Sequence, residues 1–303
     1  PSDAKIIQVD INPDRIGLTK KISIGIVGDA GKVASDILSQ LSDTAGDLNR
    51  DTRKVNIAET KSKWAQQLSS MDHEDDDPGT TWNERARADK PEWMSPRMAW
   101  RAIQASLPRN AIISSDIGNN CAIGNAYPSF EEGRKYLAPG LFGPCGYGLP
   151  SVVGAKIGCP TVPVVGFSGD GAFGIAVNEL TAIGRGDWPA VTQIVFRNYQ
   201  WGAEKRNTTL WYQDNFVGTE LNYEVSYAGI AEACNLKGVV ARTMEDLTAA
   251  LNQAIKDQME NGITTLIEAM INQELGEPFR RDAMTAPVAV AGIDAKDMRP
   301  QQV

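Results

Sequence analysis

Pro163-Val-Val-Gly-Phe-Ser168 runs straight into Gly169-Asp170-Gly171, and Val191-Thr-Gln-Ile-Val-Phe196 ends at Arg197-Asn198. Each is a short apolar run stopped by glycine or polar residues, as in a strand buried on both faces. Twenty-six residues separate Gly171 from Asn198, and Phe173–Gly184 within them has helical spacing. Strand, helix and strand make a parallel unit, and an ordinary crossover sets the two strands side by side. Asp170 and Asn198 then share the carboxyl edge of the sheet, where such sheets bind ligands.

The same alternation extends outward. Ala111–Ser114, Val239-Val240 and Thr264–Met270 read as further strands. Helices are expected after Gly118, over Gly148–Gly158, from Ser226 with Tyr227, Ile230, Ala231 and Cys234 on one face, and from Thr243 with Leu247, Leu251 and Ile255 inward. Ser95-Pro96 supplies a capping hydroxyl followed by proline at the first helical position. The fold class is α/β, a parallel sheet with helices on both faces. Ahead of it, Lys5–Asp10, the Asn12-Pro13-Asp14 turn, Ile22, Ile24 and Ile26, and the helical spacing of Val33, Ile37, Leu38 and Leu41 read as the end of a second α/β domain. Its first part is expected outside these 303 residues. The expected division is a remnant over 1–45, a linker over 46–94 with a polar helix from Asn56 to Met71, a main domain over 95–272 and a tail over 273–303.

Composition narrows the function. A net charge of −8 argues against nucleic acid or an anionic membrane as partner. No apolar stretch approaches the roughly 20 residues that cross a bilayer, and no basic, apolar leader is present, so a cytoplasmic protein is expected. Cys121, Cys145, Cys159 and Cys234 form no C-x-x-C pair, which suits a reducing compartment. The single histidine, His73, lies in the acidic run 72–77, which argues against histidine catalysis and histidine-rich metal sites.

A carboxylate and an amide oxygen at one sheet edge are hard ligands suited to Mg²⁺ or Ca²⁺ bridging a diphosphate. The flanking glycines let main chain approach phosphates, and N–H groups at the following helix start face them. Taken alone, Gly-Asp-Gly is most often a plain strand-to-helix turn; the pairing with Asn198 distinguishes this one. Gly143-Pro-Cys145-Gly146-Tyr-Gly148 is G-x-x-G-x-G rather than the dinucleotide fingerprint, which weighs against a nicotinamide cofactor.

Strand–Gly169-Asp170-Gly171–helix, then strand–Asn198, resembles the signature of thiamin diphosphate enzymes of the acetolactate synthase-like superfamily. The resemblance implies thiamin diphosphate and Mg²⁺ as cofactors. It places Asn119 and Asn120 of Asp116-Ile-Gly118-Asn119-Asn120 against the diphosphate, the Gly143 carbonyl against the aminopyrimidine amino group and Cys145 beneath the bent cofactor. Cys145 also reads as a buried small hydrophobe. Residues 4–30 resemble the end of the central domain of these enzymes. The glutamate that activates the cofactor belongs to a pyrimidine-binding domain that no segment here matches. No catalytic residue is therefore assigned, and the chain is expected to be inactive without its N-terminal half, in a homodimer or homotetramer.

Asn198-Tyr-Gln-Trp-Gly-Ala-Glu-Lys-Arg-Asn207, Asn215–Leu221 and Glu274–Asp282 are similar to the sulfoacetaldehyde acetyltransferase family, which converts sulfoacetaldehyde and phosphate to acetyl phosphate and sulfite. That similarity implies Asp170, Asn198 and the Gln200 carbonyl as Mg²⁺ ligands, with main chain of Gly169, Gly171, Ala172, Trp201 and Gly202 around the diphosphate. Lys205, Arg206, Arg280 and Arg281 are the cations to weigh against the sulfonate or phosphate, each also readable as a surface charge. Trp201 either covers the site or fills core; Glu179 and Asp187 read as structural. An acetolactate synthase-like or 2-oxoacid decarboxylase activity, and a non-catalytic cofactor-binding module, stay open beside this reading.

Overall fold

The computed structural model describes residues 4–18, 21–41, 50–70, 92–130, 133, 135–140 and 142–275, the side chains at 207 and 209–211 excepted. His73, Arg280 and Arg281 lie outside the described residues. The chain divides into two compact units between Gln67 and Leu68. In the first, strands β1 (Ile7–Asp10) and β2 (Ile24–Val27) run parallel, Ile7 opposite Ile24 and Asp10 opposite Val27. Asn12 Oδ1 accepts from the Asp14 N–H at 3.0 Å and turns the chain at Pro13. Asp29 Oδ1 accepts from the Lys32 N–H at 2.9 Å at the start of helix α1 (Ala30–Leu41). Helix α2 (Arg50–Ser70) is the polar helix, beginning earlier than its expected start at Asn56.

The second unit opens with helix α3 (Pro96–Ser106), where Ser95 Oγ accepts from the Met98 N–H at 3.1 Å and Pro96 takes the first position. Then come β3 (Ile112–Ser115), α4 (Asn119–Gly124), β4 (Tyr136–Leu137), α5 (Gly148–Gly158), β5 (Val164–Gly169), α6 (Asp170–Ala176), α7 (Glu179–Ile183) and β6 (Thr192–Arg197). Helices α8 (Gly202–Trp211) and α9 (Tyr227–Ala233), strand β7 (Lys237–Ala241), helix α10 (Met244–Lys256), a π turn (Asp257–Asn261) and β8 (Thr265–Met270) complete it. All neighbouring strands are parallel, in the order β4-β3-β5-β6-β8-β7.

Side-chain alternation divides the core into two layers. Val165 and Phe167 of β5, with Ile194 and Phe196 of β6, face Trp100 and Ile103 of α3 and Leu247 and Leu251 of α10. Val164 and Val195 face the other way, onto Leu149 and Val152 of α5, Phe173 and Leu180. Burying each phenylalanine contributes about 1.5–3 kcal/mol, so this register is strongly preferred over a one-residue slip. The helix expected over Phe173–Gly184 is instead two, α6 and α7, broken at Val177-Asn178. Strand β4 was not expected: two residues carry no periodicity. Among the described residues, no helix is long and apolar enough to cross a membrane.

Candidate functional site

Register decides what meets at the sheet edge. Gly169, the last residue of β5, pairs with Phe196 of β6, so Asp170 and Asn198 leave the sheet side by side. Asp170 is buried, and its two oxygens differ in their surroundings. Oδ2 accepts from the N–H groups of Asn198 (3.1 Å) and Tyr199 (2.6 Å) and from Arg197 Nη1 (3.1 Å). Oδ1 accepts only the Gly171 N–H, at 3.0 Å. Oδ1 is therefore the oxygen with capacity left for a cation. Burial pushes the Asp170 carboxyl up to about 6, while the Arg197 guanidinium and the three N–H donors pull the other way.

A cavity opens beside this carboxylate. Its wall includes Gly118, Asn119, Asn120, Gly143, Cys145, Gly169, Asp170, Gly171, Ala172, Gln200, Trp201 and Gly202. Of the residues assigned to cofactor binding from sequence, all but Asn198 line it. Asn198 is buried next to Asp170, and its carbonyl accepts from Gln273 Nε2 at 2.9 Å. Tyr199, between Asn198 and Gln200, has φ 59°, a left-handed conformation that costs a non-glycine residue about 1–2 kcal/mol. Trp201 packs on Gly171 so closely that a Cβ there would stand 2.8 Å from the indole. The indole thus forms cavity wall. Glu179 and Asp187 are not among the lining residues, and Asp187 pairs with Arg185 at the surface.

Both side-chain amide atoms of Asn119, Oδ1 of Asn120 and Oε1 of Gln200 are buried without a hydrogen-bond partner. Each such atom costs about 1–3 kcal/mol if nothing satisfies it. Four of them on residues lining one cavity fit a polar ligand that supplies both donors and acceptors. Among the described residues no group of three or more His, Cys, Asp or Glu side chains could hold a metal. A divalent cation at Asp170 would consequently need most of its negative charge from a bound anion.

Several supporting residues escaped the sequence reading. Asp116, just beyond β3, accepts from the N–H groups of Ile117 (2.8 Å), Gly146 (3.1 Å) and Gly148 (2.8 Å) and so ties the glycine-rich segment to the sheet. Gly146 makes the turn at φ 87°. Burial raises the Asp116 carboxyl, opposed by those three N–H groups. Arg197 is buried at the end of an otherwise uncharged strand, a position that by itself signals a paired charge. Lys205 does not reach the cavity wall. It is fully buried, its ammonium paired with Glu220 and 5.4 Å from the centre of the Phe216 ring, and burial lowers its pKa against the pull of Glu220. Arg206 is half-buried and likewise not among the lining residues. Cys145 is half-buried on the wall, its thiol pushed up by burial and by the charges of Asp116 and Glu204.

Residues 116–269, which contain the whole of this cavity, match the model of the thiamine pyrophosphate enzyme C-terminal TPP-binding domain. The chain belongs to the thiamine pyrophosphate enzymes. It is 82% identical over 303 residues to the sulfoacetaldehyde acetyltransferase of Roseovarius nubinhibens, covering 100% of this chain and 50% of that protein. The sulfoacetaldehyde acetyltransferase of Castellaniella defragrans is 41% identical over 290 residues, 95% of this chain and 48% of its own length. A probable acetolactate synthase large subunit from Methanococcus aeolicus is 26% identical over 262 residues, 84% of this chain and 41% of its own. Among solved structures, the thiamine diphosphate-dependent 4-hydroxybenzoylformate decarboxylase of Rhodococcus jostii RHA1 shares the fold of this thiamine pyrophosphate enzyme, with TM-score 0.55 and 23% identity over 61% of this chain and 34% of that one. The chain spans about half the length of the curated relatives it matches.

Proposed function

We propose that this chain is the diphosphate-binding half of a sulfoacetaldehyde acetyltransferase, which turns sulfoacetaldehyde and phosphate into acetyl phosphate and sulfite. The observation that carries the substrate is the 82% identity over all 303 residues to an enzyme of that name. Thiamin diphosphate, when bound, supplies the carbanion chemistry. The protein's own part here is to hold and orient it. Asp170 through Oδ1, with Asn198 and the Gln200 carbonyl, would hold Mg²⁺, the cation that lets an acidic chain accept a diphosphate. Asn119 would donate from its unpartnered Nδ2 to a phosphate oxygen, and the unpartnered Oδ1 atoms of Asn119 and Asn120 would accept from the water around it. Main chain at Gly169, Gly171, Ala172 and Gly202 lies close enough to the cavity to assist, and Trp201 shields one side from solvent. The Gly143 carbonyl would accept from the aminopyrimidine amino group, and Cys145 would lie beneath the cofactor. The activating glutamate is expected in the part of the polypeptide outside this chain, and the site is expected to need a second subunit. Arg206, Arg280 and Arg281 remain candidates for the substrate anions.

The test supplies the complete polypeptide with Mg²⁺, thiamin diphosphate, sulfoacetaldehyde and phosphate and measures sulfite. Sulfite release at a rate that depends on both substrates is expected. Turnover of pyruvate without sulfite would replace the proposal with an acetolactate synthase-like activity, and saturable cofactor binding with no turnover would replace it with a binding module.

A further inference from the structure

Arg197 ends β6 at the site edge, and its buried guanidinium touches five residues at once. Nη1 donates to Asp170 Oδ2 at 3.1 Å, and Nε lies 3.5 Å from Glu268 Oε1 on the neighbouring strand. Nη2 donates to the carbonyls of Asn222 (2.6 Å) and Val225 (2.8 Å). The guanidinium carbon lies 4.0 Å from the centre of the Tyr199 ring, and Tyr199 stacks in turn on Tyr223 at 4.3 Å. The segment that carries Tyr223 is the one whose carbonyls Arg197 holds. The planar fork and stacking face needed for this arrangement belong to arginine and not to lysine.

From these contacts we infer that Arg197 is the positioning residue of the cation site, acting through Asp170 and Tyr199 without touching cofactor or metal. Occupying Oδ2 fixes the rotation of the Asp170 carboxylate, so Oδ1 is the oxygen turned to the cavity. Stacking on Tyr199 secures the left-handed residue that sets the Asn198 and Gln200 main chain around the same point. Without the clamp, Tyr199 has a steric reason to leave φ 59°, and the two flanking residues would move with it. This inference rests on the proposed Mg²⁺ site at Asp170.

The experiment titrates Mg²⁺ into the complete polypeptide at saturating thiamin diphosphate and follows tryptophan fluorescence, Trp201 being on the cavity wall. The unfolding midpoint without metal or cofactor is measured alongside. Arg197→Lys, which keeps the charge and loses the fork, is expected to weaken Mg²⁺ about 10-fold to 100-fold, the usual cost of losing an outer-shell partner. Tyr223→Leu removes only a half-exposed ring and is expected to weaken Mg²⁺ about twofold to tenfold, with Tyr223→Phe restoring it. Should Arg197→Lys fail to fold, the Tyr223 pair decides alone. Wild-type Mg²⁺ midpoints in the folded variants would overturn the inference. Asp170→Ala separates this outcome from a wrong site: if that variant also titrates like wild type, the Mg²⁺ assignment itself fails.

Discussion

Gly171 lies in the first turn of α6 and Trp201 caps the start of α8, yet the indole lies directly over the Gly171 main chain. A methyl group built on Gly171 would stand 2.8 Å from Cε3 and 2.9 Å from Cδ2 of the ring, closer than real carbon contacts allow. The contact fixes where the indole stands in the cavity wall, to which Gly171 and Trp201 both belong. Only glycine permits the ring to stand where it does.

Gly171→Ala should accordingly displace Trp201 and not merely fill space. The expected result is a loss of affinity for thiamin diphosphate of about tenfold or more, corresponding to 1.4 kcal/mol or above. Calorimetric titration checks it. Unchanged affinity would mean that the ring yields at no cost and does not shape the site.

Lys205 offers a separation between folding and substrate recognition. Its ammonium is fully buried against Glu220, whose side chain is 54% exposed, with Gln273 Oε1 at 3.5 Å. Lys205→Met should lower stability by about 1–3 kcal/mol, less than breaking a wholly buried pair because Glu220 can turn to water. In the complete polypeptide, the Michaelis constants for the proposed substrates, sulfoacetaldehyde and phosphate, should stay near wild type. A selective rise in either one, with the unfolding midpoint unmoved, would instead place Lys205 against a substrate anion.

Asp257 gives a pH dependence remote from the cavity. The Lys237 ammonium at 2.6 Å, then the Gln253 and Asn261 side-chain amides, hold its carboxyl down at about 2, from an ordinary value of 3.8. Because the folded state releases this proton more readily than the unfolded chain, the stabilisation is complete above about pH 4. It is lost as pH falls through about 2. Asp257→Asn should thus unfold at lower urea than wild type at pH 7, with the gap narrowing between pH 4 and pH 2. A gap independent of pH would remove the Lys237 pair as its origin.

Much of this was legible because the parallel strands announce themselves. Val164–Phe167 and Val191–Phe196 are mostly apolar and buried on both faces, and the residues that stop them, Gly169-Asp170 and Arg197-Asn198, are those the register sets side by side. What escaped lacks a local signature. The break between α6 and α7 leaves both apolar stripes on one buried layer, so the helical period runs through it. The partners of Arg197 are Asp170, Asn222, Val225 and Glu268, scattered in sequence and gathered only by the sheet and the α8–α9 connection. Gln273 reaches the Asn198 carbonyl from beyond β8 in the same way. Lys205 shows the converse: a cation in a polar segment reads as surface charge until its neighbours are known.

The place of β5 and β6 within the sheet has a dynamic consequence. They are the third and fourth of six strands, hydrogen-bonded on both sides and packed on both faces. Their amides belong to the part of a domain that opens only when the whole of it unfolds. The Asp170 side of the cavity therefore inherits the lifetime of the folded state itself. The glycine-rich wall at 143–148 is joined to that rigid edge by two side chains, the Asp116 carboxylate at the Gly146 and Gly148 N–H groups and Ser114 Oγ at the Gly148 carbonyl. The cation end of the cavity is thus part of the sheet itself, while the glycine-rich wall takes its position from these few bonds to it.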